Sequence, residues 1–221
     1  MNSSGSSVTA TSGEISDRVA EVRTKLDEVG RPDTRIVAVT KGFGPDTVAA
    51  ARAAGLTEFG ESYAQELEEK TPAFEGIDRM HFIGRIQRNK VRRIASVVDL
   101  WHSVARESVL REIAKRRDDA TVLLQIRIGD DETKDGIGPG QIEDMLVLGS
   151  ELGVEVRGLM TIGVRDDADG TRRAFEELRV LADRHDLSEL SMGMSADYLD
   201  AAAAGATILR LGSVLFGPRP H

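Results

Sequence analysis

The stretch ELSMGMSADYLDAAAAGATILRLGS, residues 189–213, decides the fold. ELSMGM (189–194) and ATILRLG (206–212) are short β-type runs, and the alanine-rich segment between them, closed by Gly205, has the composition of a short helix with its stop signal. A strand, a helix and a second strand in such close succession make a βαβ unit, and that crossover joins parallel strands.

The same alternation runs through the rest of the chain. Further β-type runs are RIVAVT (35–40), LTEFG (56–60), RMHFIG (79–84), VDLWHSV (98–104), TVLLQIRI (121–128) and VEVRGLMTI (154–162). Pro45 in a first turn, with Gly55 beyond the end, signals one helix between them. Pro139 opens another, with its face on Ile142, Met145, Leu146 and Leu152, and Phe175, Leu178, Leu181 and Ala182 mark a third. Ahead of the first strand, Ile15, Val19, Val22, Leu26 and Val29 form one apolar stripe over 14–29, with Thr11 and Glu14 spaced as a capping box. About eight strands with crossover helices predict an α/β fold: a single (β/α)8 TIM-type barrel preceded by an N-terminal helix. An open parallel sheet has the same periodicity, so closure is left to the structure. With no composition break or Pro-rich linker, residues 14–221 are expected to be one barrel domain. Residues 1–13 (MNSSGSSVTATSG) lack the charged and apolar regions of a signal peptide and are expected to be a disordered tail, which points to the cytoplasm.

Composition narrows the function. With 40% apolar and 30% charged residues, and no apolar run of the ~18 residues a span needs, the chain is expected to be soluble. The 29 basic and 37 acidic residues give a net charge of -8, and the arginines are scattered, which argues against nucleic acid as a partner. The absence of cysteine excludes disulfides and thiolate chemistry, and four dispersed histidines argue against a zinc site.

In a barrel of this kind the working residues come from the C-terminal ends of the strands. Lys41 closes the first run, and alternation places it on one face with Val37 and Val39. An amine in an apolar mouth has a depressed pKa, which suits condensation with an aldehyde; an ordinary exposed lysine at a strand end is the other reading. Phosphate sites in barrels often use the loops after strands seven and eight. Here the first offers Gly193 and Ser195, and the second Gly212 and Ser213. Ser195 also suits the N-cap of the alanine-rich helix, and Gly212-Ser213 also suits a plain turn. A first-strand lysine together with two glycine-hydroxyl loops is the layout expected for a phosphate-bearing aldehyde.

On AVTK (38–41), FGESYAQE (59–66), HFIGRIQRNK (81–90), ETKDGIG (132–138), RGLMTIG (157–163) and LSMGMSADYLDAAAAGATILRLGSVLFG (190–217), the chain resembles the pyridoxal-phosphate homeostasis proteins. The barrel of that family is similar to the N-terminal domain of alanine racemase. The resemblance covers about residues 15 to 218 and implies pyridoxal 5'-phosphate (PLP) as the cofactor. It implies Lys41 as the Schiff-base lysine, Ser195, Gly212 and Ser213 as the phosphate cradle, and Arg210 facing the pyridine nitrogen. His81, Thr161 and Ser62 are implied as pocket residues. An arginine beside the ring nitrogen disfavours its protonation and so restrains carbanion chemistry. The chain departs from the family pattern at Ser62, where asparagine is usual, and at Phe43, Arg88 and Ala105, which replace a lysine, a serine and an aspartate. Lys90 and Lys134 match family lysines.

Two functions follow. The first is a cofactor carrier or regulator in homeostasis, with little or no catalysis and with apo-forms of PLP enzymes as recipients. The alternative is a racemase-like amino-acid enzyme. That chemistry needs a second base from a partner subunit's C-terminal domain, and Tyr63 and Tyr198 are not placed in one, so a monomeric carrier is expected. A cofactor-free Schiff-base aldolase would keep the lysine and the phosphate loops but leave Arg210 without a role.

Overall fold

The structure, a computed structural model, describes residues 10–129 and 135–219. Helix α1 (Ser12–Glu28) precedes the barrel and begins two residues before the expected Glu14. Thr11 caps it: its hydroxyl accepts from the Glu14 N–H at 3.3 Å, and the Glu14 carboxylate accepts the Thr11 N–H at 2.8 Å. Of the expected tail 1–13, residues 1–9 lie outside the described residues, whereas Ser12 and Gly13 form the first helical turn.

The strands are β1 (Arg35–Val39), β2 (Glu58–Glu61), β3 (Arg79–Phe82), β4 (Leu100–Val104), β5 (Thr121–Gln125), β6 (Glu155–Met160), β7 (Glu189–Met194) and β8 (Ile208–Leu211). They close into one parallel barrel in sequence order. The seam is β1 against β8, with Val37 opposite Arg210 and Ala38 opposite Leu211, which excludes the open sheet. Between strands run α2 (Pro45–Ala53), α3 (Ala64–Lys70), α4 (Arg88–Ile94), α5 (Glu107–Ala114), α6 (Ile142–Glu151), α7 (Ala168–Arg184) and α8 (Tyr198–Ala203), and α9 (Ser213–Phe216) follows β8.

Strand alternation divides the core in two. Ile36, Phe59, Phe82, Trp101, Leu190 and Leu209 point outward and pack under the helices. Val37, Leu100, Leu123, Met160 and Ile208 point inward and form a separate cluster on the barrel axis. Each such buried side chain contributes about 1.5–3 kcal/mol of transfer free energy, so the strands are held on both faces. The interior is not wholly apolar: His81, His102, Ser191 and Arg210 are also buried, on inward positions of β3, β4, β7 and β8.

Candidate functional site at the barrel mouth

Lys41 does not end a strand. Strand β1 stops at Val39, and Lys41 opens a turn closed by the Phe43 N–H donating to the Thr40 carbonyl at 3.0 Å. Gly42 in that turn has φ 76, a conformation that favours glycine. Phe43 anchors the turn by packing edge-on against Phe216 of α9, ring centroids 5.4 Å apart. Phe43 is thus a core aromatic. Burial, then the charges of Arg219 and Arg210, push the half-buried Lys41 ammonium below the ordinary lysine range, against the opposing pull of Glu61 and Glu66.

A buried ionic clamp fixes the same turn from the α3 side. The Lys70 ammonium donates to the Thr40 carbonyl at 2.8 Å, to Glu61 Oε1 at 2.8 Å and to Glu66 Oε2 at 3.0 Å. Thr40 Oγ1 donates to Glu61 Oε1 at 2.7 Å, and Glu66 Oε2 accepts the Gly42 N–H at 2.8 Å. The backbone on both sides of Lys41 is therefore tied to one charge cluster. Sequence reading singled out none of Lys70, Glu61 and Glu66. The one local signal is the Glu61 carboxylate at the C-terminal end of β2, the end at which barrel chemistry sits.

The two glycine-hydroxyl loops meet. Ser195 Oγ accepts from the backbone N–H of Gly212 and of Val214, each at 3.2 Å, across the gap between the β7 and β8 loops. Helix α8 instead has Asp197 at its N-cap, so Ser195 is not that helix's cap. Gly193, with φ 87, turns the chain ahead of Ser195, and a Cβ there would lie 2.5 Å from Ala201 Cβ. Gly193 is thus required by packing under α8 rather than by an approaching ligand. Gly212 is different, because a Cβ there would meet nothing closer than the Val39 carbonyl at 3.4 Å. That is ordinary van der Waals contact with β1, so packing around the loop does not by itself demand glycine there. Ser213 is the exposed first residue of α9.

Arg210 points into the barrel beneath these loops and is buried. It donates from Nη1 to Ser191 Oγ at 2.7 Å and from Nη2 to the Thr161 carbonyl at 2.9 Å. A hydroxyl and a carbonyl hold it, so it is not an ion-paired barrel arginine. Burial brings its pKa down to about 10, opposed by Asp197, and it stays charged at neutral pH. The guanidinium has five N–H donors, so donors remain beyond these two bonds.

The other expected pocket residues separate. Thr161 lines a mouth cavity of about 540 Å³ with Ile126, Ile162, Met194 and Asp197. Ser62 instead lines a lateral cavity of about 430 Å³ with Tyr63, Arg85 and Lys90. Neither set of walls includes Lys41, Ser195 or Arg210, which lie along the β7–β8–β1 side. His81, expected in the pocket, is wholly buried and reaches Arg210 only through His102 and Ser191. Tyr198 is buried on α8 and Tyr63 is exposed beside the lateral cavity. Arg88 opens α4, Ala105 follows β4, and nothing in the structure explains these two departures. Lys134 lies outside the described residues.

These observations define a (β/α)8 barrel with a pKa-depressed lysine, a carboxylate-free buried arginine and paired N–H/hydroxyl loops gathered at one seam of its mouth. The chain belongs to the family of the alanine racemase N-terminal domain, whose model matches residues 13–220. It is 34% identical over 220 residues to the pyridoxal phosphate homeostasis protein of Aquifex aeolicus (strain VF5), covering 92% of this chain and 96% of that one. Among solved structures it is similar to PipY of Synechococcus elongatus PCC7942. The PipY structure without PLP has a TM-score of 0.84 at 31% identity, and the one with PLP bound has 0.80 at 32%; each covers 92% of this chain and 100% of PipY.

Proposed function

We propose that this chain binds pyridoxal 5'-phosphate at the β7–β8–β1 seam and serves intracellular cofactor homeostasis as a carrier or regulator, with little or no catalysis. The observation that carries this reading is the Ser195 hydroxyl tying the β7 and β8 loops together beside the Lys41 turn. The donor set fits the cofactor. The loops bring the Ser195 and Ser213 hydroxyls together with the Gly212 and Val214 N–H groups, a donor set that would suit a phosphate dianion once those N–H groups turn from Ser195 Oγ to it. When bound, the cofactor supplies a reactive aldehyde. Lys41, whose ammonium burial and the two arginines push below the ordinary lysine range, is the residue we assign to hold it as a Schiff base. Arg210 stays charged and presents donors only, so it would face the ring nitrogen without protonating it. The kinship with proteins named for pyridoxal phosphate homeostasis, and the PLP-bound PipY, support the same reading.

As part of this proposal the protein works as a monomer in the cytoplasm and yields its cofactor to apo-forms of PLP enzymes. Among the described residues no helix is long and apolar enough to cross a membrane. Titration with pyridoxal phosphate and with unphosphorylated pyridoxal tests the reading. The phosphate form should bind more tightly by at least two orders of magnitude, about 2.7 kcal/mol, because pyridoxal forfeits the cradle. Equal affinities, or racemisation of alanine at enzymic rates by the loaded protein, would overturn it.

A further inference from the structure

A line of polar side chains crosses the barrel interior and ends on Arg210. From Arg210 Nη1 it runs 2.7 Å to Ser191 Oγ, 2.7 Å from Ser191 Oγ to His102 Nδ1, and 2.8 Å from His102 Nε2 to His81 Nδ1. His81 Nε2 then lies 3.1 Å from Glu58 Oε2, at ion-pair distance though without full hydrogen-bond alignment. Glu58 is the first residue of β2 and Arg210 the third of β8, so the line joins the N-terminal end of the barrel to its mouth. Ser191 and both histidines are wholly buried. Their strand neighbours Met80, Phe82, Trp101, Leu190 and Met192 belong to the helix-facing core, so alternation holds the line on the axis.

The two ends dictate the direction of every hydrogen bond. Arg210 can only donate, and an ionised Glu58 can only accept. Burial pushes the Glu58 carboxyl up, but the His81 contact and the charges of Arg35 and Arg79 bring it below its ordinary value, so it is ionised at neutral pH. Burial holds both rings below the ordinary histidine value, with His102 the lower, so neither is an imidazolium at neutral pH. One arrangement is then compatible with both ends. Ser191 accepts from Arg210 and donates to His102 Nδ1, His102 Nε2–H donates to His81 Nδ1, and His81 Nε2–H faces Glu58. The reverse arrangement would set the lone pair of His81 Nε2 against a buried carboxylate oxygen, which is repulsive.

We propose that Ser191, His102 and His81 are positioning residues. Through this one-way line they hold the Arg210 guanidinium in a single orientation and fix the polarity of the barrel floor beneath the bound ring. The part that concerns the ring rests on the function proposed above; the direction of the line does not.

The imidazole nitrogens of the full-length protein without cofactor, read by two-dimensional long-range ¹H–¹⁵N NMR at pH 7, test the direction. Both rings should be neutral, pure Nε2–H tautomers with slowly exchanging Nε2 protons. An Nδ1–H tautomer, an imidazolium or a fast-exchanging mixture at either ring would overturn the proposal, and no variant is needed. The visible spectrum of PLP-loaded Ser191→Ala and Ser191→Thr tests the positioning. Alanine should shift the band of the bound cofactor, and threonine, which keeps the hydroxyl, should restore it. An unshifted band in Ser191→Ala overturns the positioning role while leaving the cofactor reading intact. A wild-type chain that takes up no PLP overturns the cofactor reading, and the NMR measurement then still decides the direction of the line.

Discussion

Replacing Lys70 by methionine should cost this fold more than any surface lysine could. Its ammonium is buried against Glu61, whose side chain is 0% exposed, and makes three hydrogen bonds of 2.8 to 3.0 Å. Removing one partner of a buried pair leaves the other charge uncompensated, a loss of about 3–5 kcal/mol. Two features place the expected loss at the lower end. Glu66 keeps 28% side-chain exposure and can rehydrate, and burial already raises the Glu61 pKa, so Glu61 can take up a proton once the lysine is gone. A loss of about 3 kcal/mol corresponds to a fall in Tm of about 6–12 °C in a chain of this length. Urea denaturation with an unchanged m value is the assay. Glu61→Gln added to Lys70→Met should recover about 2 kcal/mol, because the amide still accepts from Thr40 and leaves no charge behind. If Lys70→Met unfolds within about 1 kcal/mol of wild type, the clamp does not hold the Lys41 turn and the reasoning fails.

Ser195→Ala removes the acceptor that joins the Gly212 and Val214 N–H groups and one hydroxyl of the cradle, so PLP should bind about ten-fold more weakly in a fluorescence titration; an unchanged Kd would move the phosphate site elsewhere. Acid should destabilise the fold through the two buried histidines. Both have folded-state pKa values below 6.5, so the stability they confer is complete above that value and is lost as the pH falls towards their folded values. The slope should approach about 1.4 kcal/mol per pH unit for His102, whose folded value lies well below 6.5, with His81 adding in the same sense, and His102→Gln should flatten it in urea melts between pH 7 and 5.

The strands were legible because β-branched and aromatic runs are separated by glycine and proline punctuation, and all eight runs became strands. Their ends were less so. Leu56 and Thr57 belong to the expected second run but precede β2, because burial continues past the last ladder bond: Leu56 is still buried. Helices α3, α4 and α5 give no clear signal, being only about two turns long with two or three buried residues each. In the site, Lys41 and the two glycine-hydroxyl loops followed from the rule that barrel chemistry sits at strand ends. The clamp and the axial line did not. Lys70 reaches Thr40 across 30 residues and His102 reaches Ser191 across 89, and a single polar residue on an inward strand position carries no mark of its partner. The resemblance implies His81 as a pocket residue, whereas its third place in the run RMHFIG sets it inside the strand and alternation turns it to the buried axis.

Borohydride reduction of the PLP-loaded chain, followed by peptide mapping, tests the central claim most directly. The protein should be yellow before reduction and should afterwards carry one pyridoxyl group, on Lys41. Its half-buried ammonium, lowered by burial, Arg219 and Arg210, is the lysine poised at the mouth beside the Ser195 cradle. A label confined to Lys90, Lys134 or any other lysine, with Lys41 unmodified, would contradict the account.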